Sequence, residues 1–156
     1  MHPNAALIQS FYEAFQRRDG AAMSAAYHPQ ASFSDPVFPN LNGAEVGGMW
    51  RMLCGRATDL KIEFSGIEAD GKVGKAHWEA YYTFSATGRM VHNIIDASFT
   101  FEGGQIIKHV DDFDFWRWSR QALGASGVLL GWSSIVRDKV RSQADRGLRK
   151  FLAEGT

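Results

Sequence analysis

Two groups of side chains in this chain suit proton transfer: a lone acid in Phe33-Ser34-Asp35-Pro36-Val37, and a histidine two residues before an acid in His109-Val110-Asp111-Asp112-Phe113. A carboxylate at an apolar wall is incompletely hydrated, which raises its proton affinity toward what a general base needs. In extended backbone, residues two apart share a face, so His109, Asp111 and Phe113 point one way and Val110, Asp112 and Asp114 the other. An imidazole and a carboxylate so placed tune one another, the acid raising the histidine's proton affinity and the imidazolium lowering the acid's. Each group also has a plain reading. Asp35 would simply end a strand before a proline turn, where Asp is common, and the aspartates at 111, 112 and 114 would form a solvated surface cluster. We take Asp35, His109 and Asp111 as the candidate catalytic residues.

The elements that must position them follow from periodicity. Leu7, Ile8, Phe11, Tyr12 and Phe15 recur at helical spacing behind Asn4, a good N-cap, and predict a helix over 5–17. Asp19 caps a second short helix holding Ala22, Met23 and Ala26, which Pro29 stops. A first strand is predicted over 31–35, then a turn-rich segment over 36–43. Val46, Met49, Trp50 and Leu53 define a third helix ending near Gly55. From Leu60 the period changes to two, with turn signals at Asp70-Gly71, Thr87-Gly88 and Gly103-Gly104. These divide strands near 60–69, 72–84, 91–102 and 105–115. Helices followed by an antiparallel meander predict an α+β fold in which a curved sheet wraps three helices and leaves a conical cavity. Trp50, Trp78, Tyr82, Phe84, Phe99 and Phe113 supply an aromatic cup for a flat hydrophobic ligand, although aromatics at core spacing commonly just fill the core. Alternation sets Asn93 inward and Asp96 outward, with Ala97, Phe99 and Phe101 on the face opposite Asp96.

Gly124-Ala125-Ser126-Gly127 breaks the chain after this block, and Val128 to Trp132 reads as a short apolar plug. Val136, Val140, Ala144, Leu148 and Phe151 then line one face of a terminal helix. Residues 1–118 are therefore expected to form the body and 119–156 a helical extension of the same domain. Six basic and three acidic side chains follow Ser133. Asp138 and Asp145 interrupt the basic face, which favours docking on the body or on a second subunit over a membrane surface.

Composition narrows the class. At 156 residues the chain suits one domain. Its 17 basic and 17 acidic residues cancel, which gives no global support for nucleic-acid binding. The single cysteine, Cys54, excludes an internal disulfide and sits in an apolar helical run, as a small core residue would. Met1-His2-Pro3-Asn4 carries neither a basic leader nor an apolar run of export length, and no segment approaches a membrane span, which predicts a cytoplasmic protein. No two histidines have zinc-like local spacing, and phosphate-loop, dinucleotide-binding and nucleophile-elbow patterns are missing, so neither metal nor cofactor is expected.

The segment order, with Phe11-Tyr12-Glu13-Ala14-Phe15, Asp19-Gly20, His28-Pro29 and the Asp35-Pro36-Val37 step, resembles the cone-shaped, cystatin-like α+β superfamily named after nuclear transport factor two. Within it, ketosteroid isomerase and the SnoaL-like polyketide cyclases are similar over about residues 5–118. The resemblance implies a small-molecule pocket, a homodimer paired through the outer sheet face, and proton-transfer chemistry on a hydrophobic carbonyl compound. Asp35 falls on the isomerase's base. The isomerase's oxyanion tyrosine falls on Phe11, with Tyr12 about 100° further round the helix. The run from Gly104 to Asp114 is similar to the last strand of the cyclases and of limonene epoxide hydrolase, where Asp111 matches the working acid. The arginine–aspartate pair that supports epoxide opening is incomplete, because Arg89-Met90-Val91 has valine at the acid's place. Tyr12, Trp50, Trp78, Asn93 and Phe113 are the candidate substrate contacts. Two readings compete with an isomerase or cyclase: a non-catalytic ligand-binding or dimerisation module, and a water-activating hydrolase centred on Asp111.

Overall fold

The computed structural model describes residues 1–56, 58–130 and 133–154. Helices α1 (Pro3–Gln16) and α2 (Gly20–Ala25) lead into strand β1 (Tyr27–Ser34), a two-residue strand β2 (Leu41–Asn42) and helix α3 (Ala44–Arg56). Strands β3 (Lys61–Ala69), β4 (Val73–Phe84), β5 (Arg89–Glu102) and β6 (Gln105–Asp112) follow, then α4 (Phe115–Leu123), α5 (Ala125–Leu130) and α6 (Ser134–Glu154). β3 to β6 form the predicted antiparallel meander in a six-stranded sheet of order β2-β1-β6-β5-β4-β3. β1 joins it parallel to β6, which makes the sheet mixed. The helices cover the concave face, giving the α+β cone.

Several boundaries differ from the sequence reading for identifiable reasons. The cap of α1 is His2, whose Nδ1 accepts the Asn4 N–H at 3.0 Å, with Pro3 at the first helical position. The Asn4 side chain instead donates to the Asp70 carbonyl at 3.0 Å, tying the helix to the β3–β4 turn. β1 starts at Tyr27, earlier than expected. Pro29 is tolerated because the register with β6 shifts between Tyr27 and Ser32, where no ladder donor is needed. β6 ends at Asp112, and Asp114 accepts the Arg117 N–H to cap α4, a helix hidden behind the strand-like run Phe115 to Trp118. Gly124 (φ 69°) ends α4, so the expected break falls at one residue before α5 begins. Gly131 and Trp132 of the apolar plug lie outside the described residues; Val128 and Leu129 are exposed.

The main core joins α1, α3 and the inner sheet face through Ile8, Phe11, Phe15, Trp50, Trp78 and Ile95. α6 packs on α3. Its Leu148 is fully buried, Leu152 lies against the bare backbone of Gly48, and Arg149 pairs with Glu45. Leu148→Ala should therefore cost about 2–5 kcal/mol, the range for deleting a buried leucine side chain. Urea unfolding checks this, and a loss under about 1 kcal/mol would mean that α6 is not docked on the body. Among the described residues, no helix is long and apolar enough to cross a membrane.

Candidate active site

The sheet and helices enclose a cavity of about 410 Å³, within the size range of small-molecule sites. Its walls are mostly apolar and aromatic, with Trp50 from α3, Trp78 and Tyr82 from β4, Phe113 after β6 and Trp118 from α4. Asp35, Asn93, Asp111 and the hydroxyl-bearing Tyr82 are set into this lining, while Arg56, Thr58, Asp59, Thr83 and Ser85 are exposed lining residues. α6 contributes Gln143, Ala144 and Gly147.

Asp35 follows β1 and serves two purposes at once. Its Oδ1 accepts the N–H groups of Val37 at 2.7 Å and Phe38 at 2.6 Å, and its own N–H donates to the Phe38 carbonyl at 2.9 Å. This closes the turn that Pro36 initiates, as Asp commonly does. No residue among those described partners Oδ2, and Asp35 lines the cavity. Burial pushes the carboxyl from its ordinary value up to about 7, with the charge of Asp111 adding to the rise, against the two turn N–H groups and the Arg141 guanidinium. Arg141, from α6, donates through Nε to the Pro36 carbonyl at 2.8 Å and so holds the turn from above.

Asp111 is anchored the same way by different partners. Its Oδ1 accepts from Trp78 Nε1 at 3.3 Å and from His109 Nε2 at 2.7 Å, again leaving Oδ2 without a protein partner among the described residues. Behind it runs a buried chain: Trp50 Nε1 donates to the Tyr27 hydroxyl at 2.8 Å, and that hydroxyl lies 2.7 Å from His109 Nδ1. Indole N–H only donates, so the Tyr27 oxygen accepts from Trp50 and its proton goes to Nδ1. The histidine proton is then on Nε2, directed at Asp111. This assignment leaves every donor in the chain with an acceptor. His109 is fully buried, boxed by the rings of Phe33, Trp50 and Phe99, and it does not reach the cavity. It orients Asp111 from behind.

The three candidate catalytic residues therefore resolve into two acids, Asp35 and Asp111, that line the cavity and a histidine, His109, that supports one of them. Trp50, Trp78, Asn93 and Phe113 line the cavity. Tyr12 does not: it is buried in the core, stacked on Phe64 of β3, with its hydroxyl unpartnered among the described residues, and Phe15 is the residue of α1 that lines the cavity. Phe99 likewise belongs to the core and packs on His109. Asp96 points outward, as alternation requires, and with Glu79 flanks His77 on the outer sheet face. Val91, at the acid position of the epoxide-opening pattern, is buried in an apolar cluster, and Arg89 donates to the Gln121 carbonyl. Cys54 is buried, and burial pushes its thiol up to about 11, so it is no nucleophile at neutral pH. Sequence reasoning missed Tyr27, read as the end of a helix, and Trp118 and Arg141, whose helices lie beyond the matched motifs.

Comparison with known proteins agrees with this architecture. The SnoaL-like domain matches residues 8–109. No curated protein matches the chain. Among solved structures, a protein of unknown function related to nuclear transport factor two, from Burkholderia pseudomallei, is similar at 22% identity and a TM-score of 0.64, covering 73% of this chain and 92% of the other. An epoxide hydrolase of the limonene type from M. tuberculosis is similar at 18% identity and a TM-score of 0.64, covering 81% and 92%. A protein proposed to be a polyketide cyclase, from Xanthomonas campestris pv. campestris, is similar at 20% identity and a TM-score of 0.64, covering 76% and 96%. At these identities the structural likenesses establish the fold.

Proposed function

The chain belongs to the SnoaL-like domain family, and on that premise we propose that it is an enzyme acting on a hydrophobic carbonyl compound, moving a proton at a carbon beside the carbonyl as an isomerase or cyclase does. The observation that carries this reading is the pair of cavity carboxylates, each with Oδ1 engaged by the protein and Oδ2 left to a ligand. A neighbouring carboxylate charge disfavours ionisation of a second acid in the same apolar enclosure, and the two environments divide the roles. Asp35, held near 7, carries a proton through much of the neutral range, and the charge of Asp111 helps to keep it there. Asp111 is then the base and Asp35 the acid, which reverses the part that sequence similarity suggested for Asp35.

In the step we envisage, Asp111 Oδ2 removes a proton from the carbon beside the carbonyl. The C–H electron pair becomes the carbon–carbon double bond of an enolate, and the carbonyl oxygen gains the negative charge. Asp35 donates to that oxygen. Return of the proton from Asp111 to another carbon of the conjugated system completes an isomerisation. Attack of the enolate carbon on a second carbonyl of the same molecule instead closes a ring, and the new alkoxide takes up the proton.

The test needs no knowledge of the natural substrate. A flat bicyclic ketone such as 2-tetralone exchanges the hydrogens beside its carbonyl for deuterium in D2O, and proton NMR follows the loss of signal. The protein is expected to accelerate this exchange above a carboxylate buffer at matched pH. Absence of acceleration would remove the proton-transfer reading, and opening of a cyclic epoxide to its diol without ketone exchange would replace it with hydrolysis.

A further inference from the structure

We propose that Tyr82 is a further catalytic residue, a second hydrogen-bond donor to the substrate's carbonyl oxygen in addition to Asp35, a role that rests on the proton-transfer reading above. The Trp50 N–H goes to Tyr27, the Tyr27 O–H to His109, the His109 and Trp78 N–H groups to Asp111, and the Thr83 hydroxyl to Asp59. Trp118 Nε1 donates to the Tyr82 hydroxyl at 2.8 Å. An indole N–H cannot accept, so Tyr82 keeps its own proton for another partner, and none among the described residues takes it. Tyr82 is half-buried and lines the cavity together with Asp35 and Trp118, whereas Thr58 and Ser85, the other lining hydroxyls with no acceptor among the described residues, are exposed. The buried Asn93 side chain also lines the cavity, as a further amide donor.

Chemistry favours the same use. A hydroxyl that already accepts a hydrogen bond is a stronger donor, and an unmade bond in an apolar enclosure is costly until a ligand oxygen supplies it. Burial pushes the Tyr82 phenol above its ordinary value, partly offset by the Trp118 bond, and the nearby Asp35 charge adds to the rise. The group is therefore a protonated donor across the neutral range. Because the bond strengthens as the carbonyl becomes an enolate, it favours the transition state over the bound ketone.

The experiment compares 2-naphthol, a flat ring system carrying one oxygen, with naphthalene, which has none. Binding is read by quenching of tryptophan emission, to which the cavity's Trp50, Trp78 and Trp118 contribute. Wild-type protein is expected to bind 2-naphthol more tightly than naphthalene. Tyr82→Phe should weaken 2-naphthol about tenfold, the size of one lost hydrogen bond in an apolar site, and leave naphthalene within about twofold. Trp118→Phe, which keeps the Tyr82 hydroxyl but frees it from its donor, should weaken 2-naphthol by less. Equal loss of both ligands in Tyr82→Phe, no loss of either, or no preference for 2-naphthol in the wild type would each overturn the assignment. In the exchange assay, Tyr82→Phe should lower kcat by about 10²–10³-fold. Selective loss of 2-naphthol without any ketone exchange by the wild type would sink the reaction while keeping the donor. Exchange that persists in Tyr82→Phe, with naphthol affinity unchanged, would do the reverse.

Discussion

Asp111→Asn is expected to lower the ketone-exchange rate by about 10³-fold, within the range for losing a general base, while the protein stays folded. The amide is nearly the same shape as the acid, and its orientation is fixed from behind. Trp78 Nε1 and His109 Nε2 both donate to Oδ1, so the carbonyl of the new side-chain amide must take that place and its NH2 must face the cavity. A donor that cannot accept a proton then stands where the base was. The exchange also removes a charge that contributes to the rise of Asp35 and of the buried Tyr12 and Tyr27 hydroxyls. The alkaline limb of any residual activity should consequently move to lower pH, because Asp35 gives up its proton more readily beside a neutral group. Turnover within about threefold of wild type would take Asp111 out of the mechanism.

What the sequence revealed and what it hid divide along one physical line: local periodicity against contacts between distant segments. Alternation in β5 put Asn93 on the inner face and Asp96 on the outer, and the same rule in β6 put His109 and Asp111 together inside, because a half-buried strand cannot slip by one residue without turning its apolar set to solvent. Both readings of Asp35 hold, since one carboxylate oxygen closes the proline turn and the residue also lines the cavity. By contrast, Tyr27 matters only because β1 lies parallel beside β6, a pairing between segments far apart in the chain that no local pattern announces. Asp111, and not His109, lines the cavity, and Tyr27 on β1 occupies the far nitrogen of that histidine. α4 carried a readable start signal in Asp114, but Phe115, Trp116 and Trp118 suit a strand equally well, and tertiary context decided. Arg141 reaches the Asp35 turn across more than a hundred residues, and a helix-face analysis of α6 assigns it only to a basic surface.

Asp35→Asn should produce the opposite pairing of effects, a less active and more stable protein. The turn survives the exchange, because the carbonyl of the replacement amide can accept from Val37 and Phe38 as Oδ1 does now. What disappears is the cost of ionising a carboxyl inside the cavity. The folded value of about 7 stands above the ordinary 3.8, so between those two pH values the folded state binds more protons than the unfolded one. Stability is therefore fully present below about pH 3.8, falls as pH rises toward 7 and stays reduced above it. Three or so units correspond to on the order of 4 kcal/mol at most, less wherever water enters the cavity. Asp35→Asn should erase this fall and melt at higher temperature than the wild type at about pH 8, with little difference near pH 4. Its exchange rate should drop by about 10²-fold, and the alkaline limb near pH 7, where the acid form is lost, should vanish from the profile. Melting curves at the two pH values and the pH–rate profile are independent readouts of one group. A variant less stable than wild type at about pH 8 would show that the carboxylate is comfortably solvated in the folded protein, and Asp35 would then lose both its raised proton affinity and its place as the acid.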